Sequence, residues 1–376
     1  MKTTARLAGI GGFTLAATAL FAGAAVAAPN HHSPAGNAVF VQTDNPAGNA
    51  VVAYHRAANG TLTRSGTYGT GGDGGVLDGS VVDHLASQGS LVADSAHGLL
   101  YAVNAGSNTL TVFTVDGDRL HRAQVISSGG AFPVSVTTNG HAVYVLNARG
   151  GGSVQGFLRL GDRLVKVPAW HRSLGLDPTA APEFTHSPGQ VAFTPDGGHL
   201  VVTTKGNGSN IDVFGVDLLG GLSARPAVTN DPSTPFAVTF DARDHLVVGE
   251  SGANSVATFT VHRDGTLSLV DRVATGQAAT CWVESSGSHV YASNAGSNNL
   301  TGLRDNGSGA LTNLGNTATD GGTVDAAASS DGRFLYSQTG ANGIVDEFAV
   351  HSNGSLTKIG SVTVPNSAGG EGIVAS

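Results

Sequence analysis

The stretch Tyr101-Ala102-Val103-Asn104-Ala105-Gly106-Ser107-Asn108 returns almost unchanged as Tyr291-Ala292-Ser293-Asn294-Ala295-Gly296-Ser297-Asn298. Degenerate echoes stand at Phe40 to Thr43, Tyr144 to Asn147, Val201 to Thr204, Val247 to Glu250 and Tyr336 to Thr339. The fourth residues fall at 43, 104, 147, 204, 250, 294 and 339, with spacings of 61, 43, 57, 46, 44 and 45. A period in the mid-forties is that of a propeller blade, since four short strands and their turns use about 40–50 residues. The seven markers predict an all-β, seven-bladed propeller of four-stranded antiparallel blades.

Around the first copy, Leu91 to Asp94, Leu99 to Asn104, Thr109 to Val115 and Leu120 to Ser127 read as four strands, with Asp116-Gly117-Asp118 as a hairpin signal. The same parse fits Gln190 to Pro226, Phe236 to Val273, Thr280 to Gly315 and Val324 to Val364. Helical periodicity is absent after the first segment. Glycine, at 55 of 376 residues, is about twice its usual share, as many tight turns between short strands require.

The first unit lacks its opening strand. Val39 to Thr43, Ala50 to His55 and Leu62 to Tyr68 supply strands two to four, while Gly372 to Ser376 reads as a strand one with no successor. The two ends are therefore expected to share one blade, closing the ring and covering its open edges.

Lys2 and Arg6, the apolar Leu7 to Val26 and the small-residue site Ala25-Val26-Ala27 make residues 1–27 a secretory signal peptide, with a retained anchor as the rival reading. Residues 28–37 read as a flexible segment and 38–376 as one domain. Export to the cell exterior or envelope is implied, and no later segment is apolar enough to span a bilayer. Without the leader, 17 basic residues face 27 acidic ones, about −10 net, which excludes nucleic acid as a natural partner. Cys281 is the only cysteine, so no internal disulfide is possible, and it reads as a small buried hydrophobe. The chain is expected to act as a monomer.

If strand one runs down a central channel, the turns after strand two and the crossovers between blades share the top face. Two crossovers are long, Gly69 to Gly89 and Pro168 to Gly189, and long loops in a compact fold are often functional. His97, His141, His199, His245 and His289 recur just before strand two on the opposite face, one per blade, too far apart to share a metal ion. Gly69 to Gly74 satisfies G-x-G-x-x-G, but no helix follows to meet a pyrophosphate. G-x-S-x-G, HExxH, CxxC pairs and the Walker loop are absent. Clustered acids permit a calcium-type site, but neither EF-hand nor RTX spacing occurs, so no metal or cofactor is expected.

The top-face candidates are polar. Glu250 fills a marker slot, Lys205 follows the marker Thr204, and Arg149 follows Asn147-Ala148. Asn104, Asn147 and Asn294, with Glu183 and His186 of the second long crossover, are candidate ligand contacts, and Asp73, Asp78, Asp83 and His84 lie on the first. A carboxylate beside cations in a funnel can polarise a carbonyl or move a proton.

The repeat, the Thr194-Pro195-Asp196-Gly197 turn, the Tyr-x-x-Asn-Ala-Gly-Ser-Asn turns and Ser87-Gln88-Gly89-Ser90-Leu91 resemble the lactonase family of seven-bladed propellers, which includes phosphogluconolactonase-like and carboxymuconate-cyclising enzymes. The resemblance runs from about Ala38 to Ser376. It implies a Glu after the second strand of a blade, matched by Glu250, and a His and an Arg on neighbouring blades. Those slots hold Gly189 or Gln190 and Asn210, and the family's Arg-His pair opening the fifth blade reads Pro235-Phe236-Ala237. On this resemblance Glu250 is the acid or base, and Lys205 or Arg149 stands in for the missing cation. Two functions remain open: a secreted propeller that opens or closes a lactone of a small polar or carboxylate-bearing ligand, or a non-catalytic propeller that binds an extracellular ligand or protein.

Overall fold

The computed structural model describes residues 37–376, so the leader read at residues 1–27 and the segment up to residue 36 lie outside the described residues. Seven four-stranded antiparallel sheets follow one another along the chain. Blade one joins Ile373–Ala375 to Ala38–Gln42, Ala50–Arg56 and Leu62–Gly69. Blade two is Leu91–Asp94, Leu99–Asn104, Thr109–Asp116 and Arg119–Ser127, and blade three is Pro133–Thr138, Ala142–Asn147, Ser153–Leu160 and Arg163–Ser173. Blade four is Pro188–Phe193, His199–Thr204, Asn210–Gly215 and Ala227–Asn230, and blade five is Pro235–Phe240, Leu246–Glu250, Ser255–Val261 and Leu267–Ala274. Blade six is Thr280–Ser286, His289–Asn294, Asn299–Asp305 and Leu311–Ala318, and blade seven is Thr323–Ala328, Phe334–Thr339, Ile344–Val350 and Leu356–Thr363.

Burial explains this order of strands. The second strands of blades two, three, six and seven are buried along their whole length, because blades press on both of their faces. Outer strands such as Leu356–Thr363 carry exposed residues along most of their length, as a sheet edge in water should. The tyrosines of the repeat fasten one blade to the next. Tyr144, Tyr291 and Tyr336 donate their hydroxyls to the carbonyls of Gly220, Gly354 and Gly60, each in the outer hairpin of the following blade. Those glycines have positive φ, and a Cβ on Gly60 or Gly354 would collide with Phe334 or His289.

The ring closes as the sequence predicts. Val39, Phe40 and Val41 pair with Ala375, Val374 and Ile373, and the Arg56 guanidinium donates to the Ser376 carbonyl at 3.1 Å. Two boundaries differ from expectation. The outer strand of blade three continues past Pro168 to Ser173, which shortens the second crossover and leaves room for a one-turn helix, Glu183–His186. In blade four the outer strand begins after Pro226 rather than ending there, because the chain first makes a turn closed by a Val216 to Leu222 bridge.

The first long crossover determines the shape of the top face. Its glycines let it lie on the turns of blades one and two: a Cβ on Gly74 would collide with the Asp44 carbonyl, and one on Gly106 with the Gly74 carbonyl. Its remainder crosses the ring. Ser87 Oγ donates to Val134 in blade three, Gln88 N to Gly189 at the start of blade four, and Gln88 Nε2 to Val283 in blade six. His84 N donates to Gly369 and Gly89 N to Glu371 Oε1, on the approach to blade one. Asp83 holds the turn by accepting from Leu85 N at 2.8 Å and Ser87 N at 2.9 Å. Leu77, Leu85 and Ala86 are buried in the core of blades two to four. This segment is a plug in the upper mouth of the channel.

Candidate functional site

The funnel expected at the top is thus divided by the chain itself, and the sequence candidates fall into separate settings. Lys205 is buried directly beside the plug and donates to the carbonyls of Ala86 and Phe184, the latter at 2.6 Å. Its ammonium lies 5.0 Å from the centre of the Phe236 ring. Burial pushes its pKa down to about 7, with Asp83 pulling the other way. Lys205 lines a cavity of about 380 Å³ together with Phe184, Thr234, Phe236, Ser251 and Cys281. The Cys281 thiol, pushed up to about 12 by burial, is protonated, in keeping with its reading as a small hydrophobe.

Glu250 is not in that cavity. It is completely buried, and Arg272 from the outer strand of the same blade grips both its oxygens, with Nη2 2.7 Å from Oε1 and Nε 2.8 Å from Oε2. Ser255 Oγ donates to it as well, and Arg272 reaches on to Asp231 at 3.1 Å. Burial pushes the Glu250 carboxyl up to about 7, against the lowering effect of Arg272 and Ser255. The carboxylate orients Arg272 and supports the turn whose Ser251 and Gly252 wall the cavity.

Arg149 and Glu183 form a third setting. Arg149 Nε and Nη2 contact Glu183 Oε1 and Oε2 at 2.7 and 2.9 Å, and its guanidinium lies 4.2 Å from the centre of the Phe132 ring. Glu183 also accepts from Asp78 N at 2.9 Å, so the pair holds the plug to the second crossover. The pairing pushes the Glu183 carboxyl below its usual range. With His186, whose Nδ1 lies 2.9 Å from the Pro182 carbonyl oxygen, they line a smaller cavity of about 240 Å³.

The marker asparagines are completely buried. Asn104 donates to Thr109 and Thr111, and Asn294 to Asn299 and Thr301, so both stitch the strands of their own blades. The side-chain amide of Asn147 is buried without a hydrogen-bond partner. None of the three lines the cavities at Lys205 or at His186. On the other face, His97 and His245 pair with Asp94 at 2.8 Å and Asp241 at 2.6 Å, one pair per blade.

Sequence reading missed Arg272 and the plug. Strand register carried the signal for the first: Glu250 pairs with Ser255, and Ser255 with Ala274, two residues from Arg272 on the same face.

Residues 222–327 match the family model described as Lactonase, 7-bladed beta-propeller. That stretch is similar to the lactonase family, and the whole structure is a seven-bladed propeller. The matched stretch supplies Thr234, Phe236, Ser251, Gly252, Ala279 and Cys281, most of the wall facing Lys205. Solved structures share its architecture. A protein from Lactobacillus plantarum superposes with a TM-score of 0.72 at 18% identity, covering 90% of this chain and 98% of its own. The periplasmic gluconolactonase of Pseudomonas aeruginosa gives 0.70 at 17% identity, with the same coverage of 90% and 98%. Virginiamycin B lyase of Staphylococcus aureus gives 0.53 at 13%, covering 76% and 88%. These likenesses establish the fold. No curated protein matches the sequence.

Proposed function

We propose that this propeller binds a small, mostly apolar lactone in the cavity at Lys205 and opens it by attack of water. One observation carries the reading. Lys205 has three N–H donors and spends two on the carbonyls of Ala86 and Phe184, so the third is left for a ligand oxygen at the wall of a cavity otherwise lined by Phe184, Phe236 and small side chains. A buried ammonium with fixed partners is already oriented for the oxyanion that forms when water adds to a lactone carbonyl. The water oxygen bonds to the carbonyl carbon, the ring C–O bond breaks, and the proton released by the water ends on the departing alkoxide. The product is the open hydroxy acid.

The family match across this wall and the gluconolactonase among the similar folds support lactone as the substrate class. The leader-like first 27 residues support export to the cell exterior or envelope. The test is hydrolysis of a panel of γ- and δ-lactones with alkyl substituents, using wild type and Lys205→Met. Loss of one oxyanion donor should lower turnover about 100- to 1,000-fold. Equal rates for the two proteins, each with an unchanged melt, would discard Lys205 as the active group.

A second reading, binding without turnover, is favoured by the sealing of Glu250. Among the residues lining the cavity there is no free carboxylate to serve as a base. In that case lactones, or the acids derived from them, raise the melting temperature while no lactone in the panel is consumed.

A further inference from the structure

Beneath the plug the channel is a second chamber. It holds about 430 Å³, is roofed by Gln88 and Gly89, and is walled by the first strands of six blades. Two carboxyls face it from neighbouring blades, Glu284 from blade six and Asp325 from blade seven. No Lys, Arg or His stands among its described lining residues, whose other side chains include the rings of Phe193 and Phe240 and the methyls of Ala326 to Ala328.

The charged end of this chamber has too many acceptors. Glu371 Oε1 accepts from Gly89 N, but Glu371 Oε2, completely buried, has no donor. That carboxyl lies against Asp325, and Asp44 and Asp83 are within electrostatic reach of it. Lys205 donates to the plug carbonyl of Ala86 and to Phe184 and is not among the residues lining the chamber. Glu284 accepts from backbone only, from Ala328 N at 3.0 Å and from Ser285 N. A buried carboxylate without a counter-charge is costly, so protons occupy these sites when nothing else does.

We propose that this lower chamber binds a small organic cation, a primary ammonium on a short apolar chain, with the ammonium against Glu284 and Asp325 and the chain against Phe193, Phe240 and the alanines. The composition of the walls selects this class over a metal ion. Calcium takes six or more oxygens, and the described residues contain no group of three or more acids, histidines or cysteines arranged to hold a metal. Beyond the two carboxyls the walls carry the neutral polar side chains of Gln88, Ser95, Gln190 and Thr239, while Phe193, Phe240 and the alanines offer an apolar surface to an alkyl group, and aromatic faces attract cations. The volume is within the range of small-molecule sites.

Burial raises the Glu284 carboxyl to about 8, with Asp325 adding to the effect, and raises Asp325 to about 7. The ammonium therefore displaces a proton, and binding strengthens as pH rises toward 8.

Isothermal titration of the full chain with n-butylammonium chloride tests this. Saturable binding at pH 8 is expected, weaker by about tenfold for each pH unit below, with one proton released to buffer. Glu284→Gln should weaken it at least tenfold, and so should Ala328→Phe, which fills the chamber and keeps both carboxyls. No saturable binding by wild type at pH 8 overturns the proposal, as does wild-type affinity in both chamber variants. Binding of calcium chloride in place of butylammonium overturns the choice of ligand class.

Discussion

Trp282 donates its indole N–H to the backbone carbonyl of Ser87 at 2.6 Å, tying the first strand of blade six to the plug. Gln88 Oε1 accepts from Val283 N at 3.0 Å one residue further on. Together with Lys205 on the side of blade four, these bonds hold the plug from two sides of the channel.

Removing the indole donor should loosen the plug without unfolding the ring. Trp282→Phe leaves the Ser87 carbonyl buried and unpaired, a cost of about 1–3 kcal/mol. Amide exchange in residues 77–89 should quicken by one to two orders of magnitude on the scale of that energy, with blade amides little changed. Uniform exchange across plug and blades would show that the plug opens only when the ring does.

Glu250→Gln distinguishes a structural from a catalytic carboxylate. The substitution keeps the shape but leaves Arg272 facing a neutral amide, and stability should drop by about 2–3 kcal/mol because the pair is buried on the glutamate side. Lactone turnover should change less than tenfold, in contrast to Lys205→Met. Complete loss of activity with an unchanged melt would restore Glu250 as the acid or base.

Ring closure sets the third expectation. Deleting residues 371–376 removes the strand paired with Val39 to Val41, the Glu371 contact to Gly89 and the carbonyl bound by Arg56. The exposed edge and lost core contacts of Ile373 should lower Tm by more than about 10 °C, the scale of several kcal/mol in a domain of this size. A melt equal to that of the intact chain would contradict closure through blade one.

Stability should fall as pH rises from 5 to 8. Burial pushes Asp44 and Asp325 to about 7, Asp83 to about 6, Glu284 to about 8 and Glu371 well above the usual range. In the unfolded chain these groups titrate near 4, so over this window the native state holds more protons than the unfolded one, and each linked proton costs about 1.4 kcal/mol per pH unit. Lys205, with its native pKa lowered to about 7, acts in the opposite sense from pH 7 upward, where only the unfolded chain stays protonated. Denaturant unfolding at pH 5, 6, 7 and 8 measures the slope, and greater stability at pH 8 than at pH 5 would refute it.

The blades were legible in the sequence because each marker turn is a local event: Tyr101 to Asn108 and Tyr291 to Asn298 fold the same way wherever they stand. Closure was legible because the first unit lacked a strand and the last residues supplied one. The destination of residues 70–89 was not. That segment has no period, and its contacts with Gly189, Val283 and Gly369 are mostly to backbone atoms, which leave no mark on residue type. For the same reason the two carbonyls that hold Lys205 could not be foreseen, and the funnel expected to gather it with Glu250 and Arg149 is partitioned.

The plug also rules out transit. A solute reaching Lys205 from above and one reaching Glu284 from below stand back to back, with a stopper of the chain's own backbone between them. The ring therefore presents two separate cavities rather than one continuous channel. Each cavity can evolve its own occupant without exposing it to the other, and an inhibitor fitted to one has no route into the second.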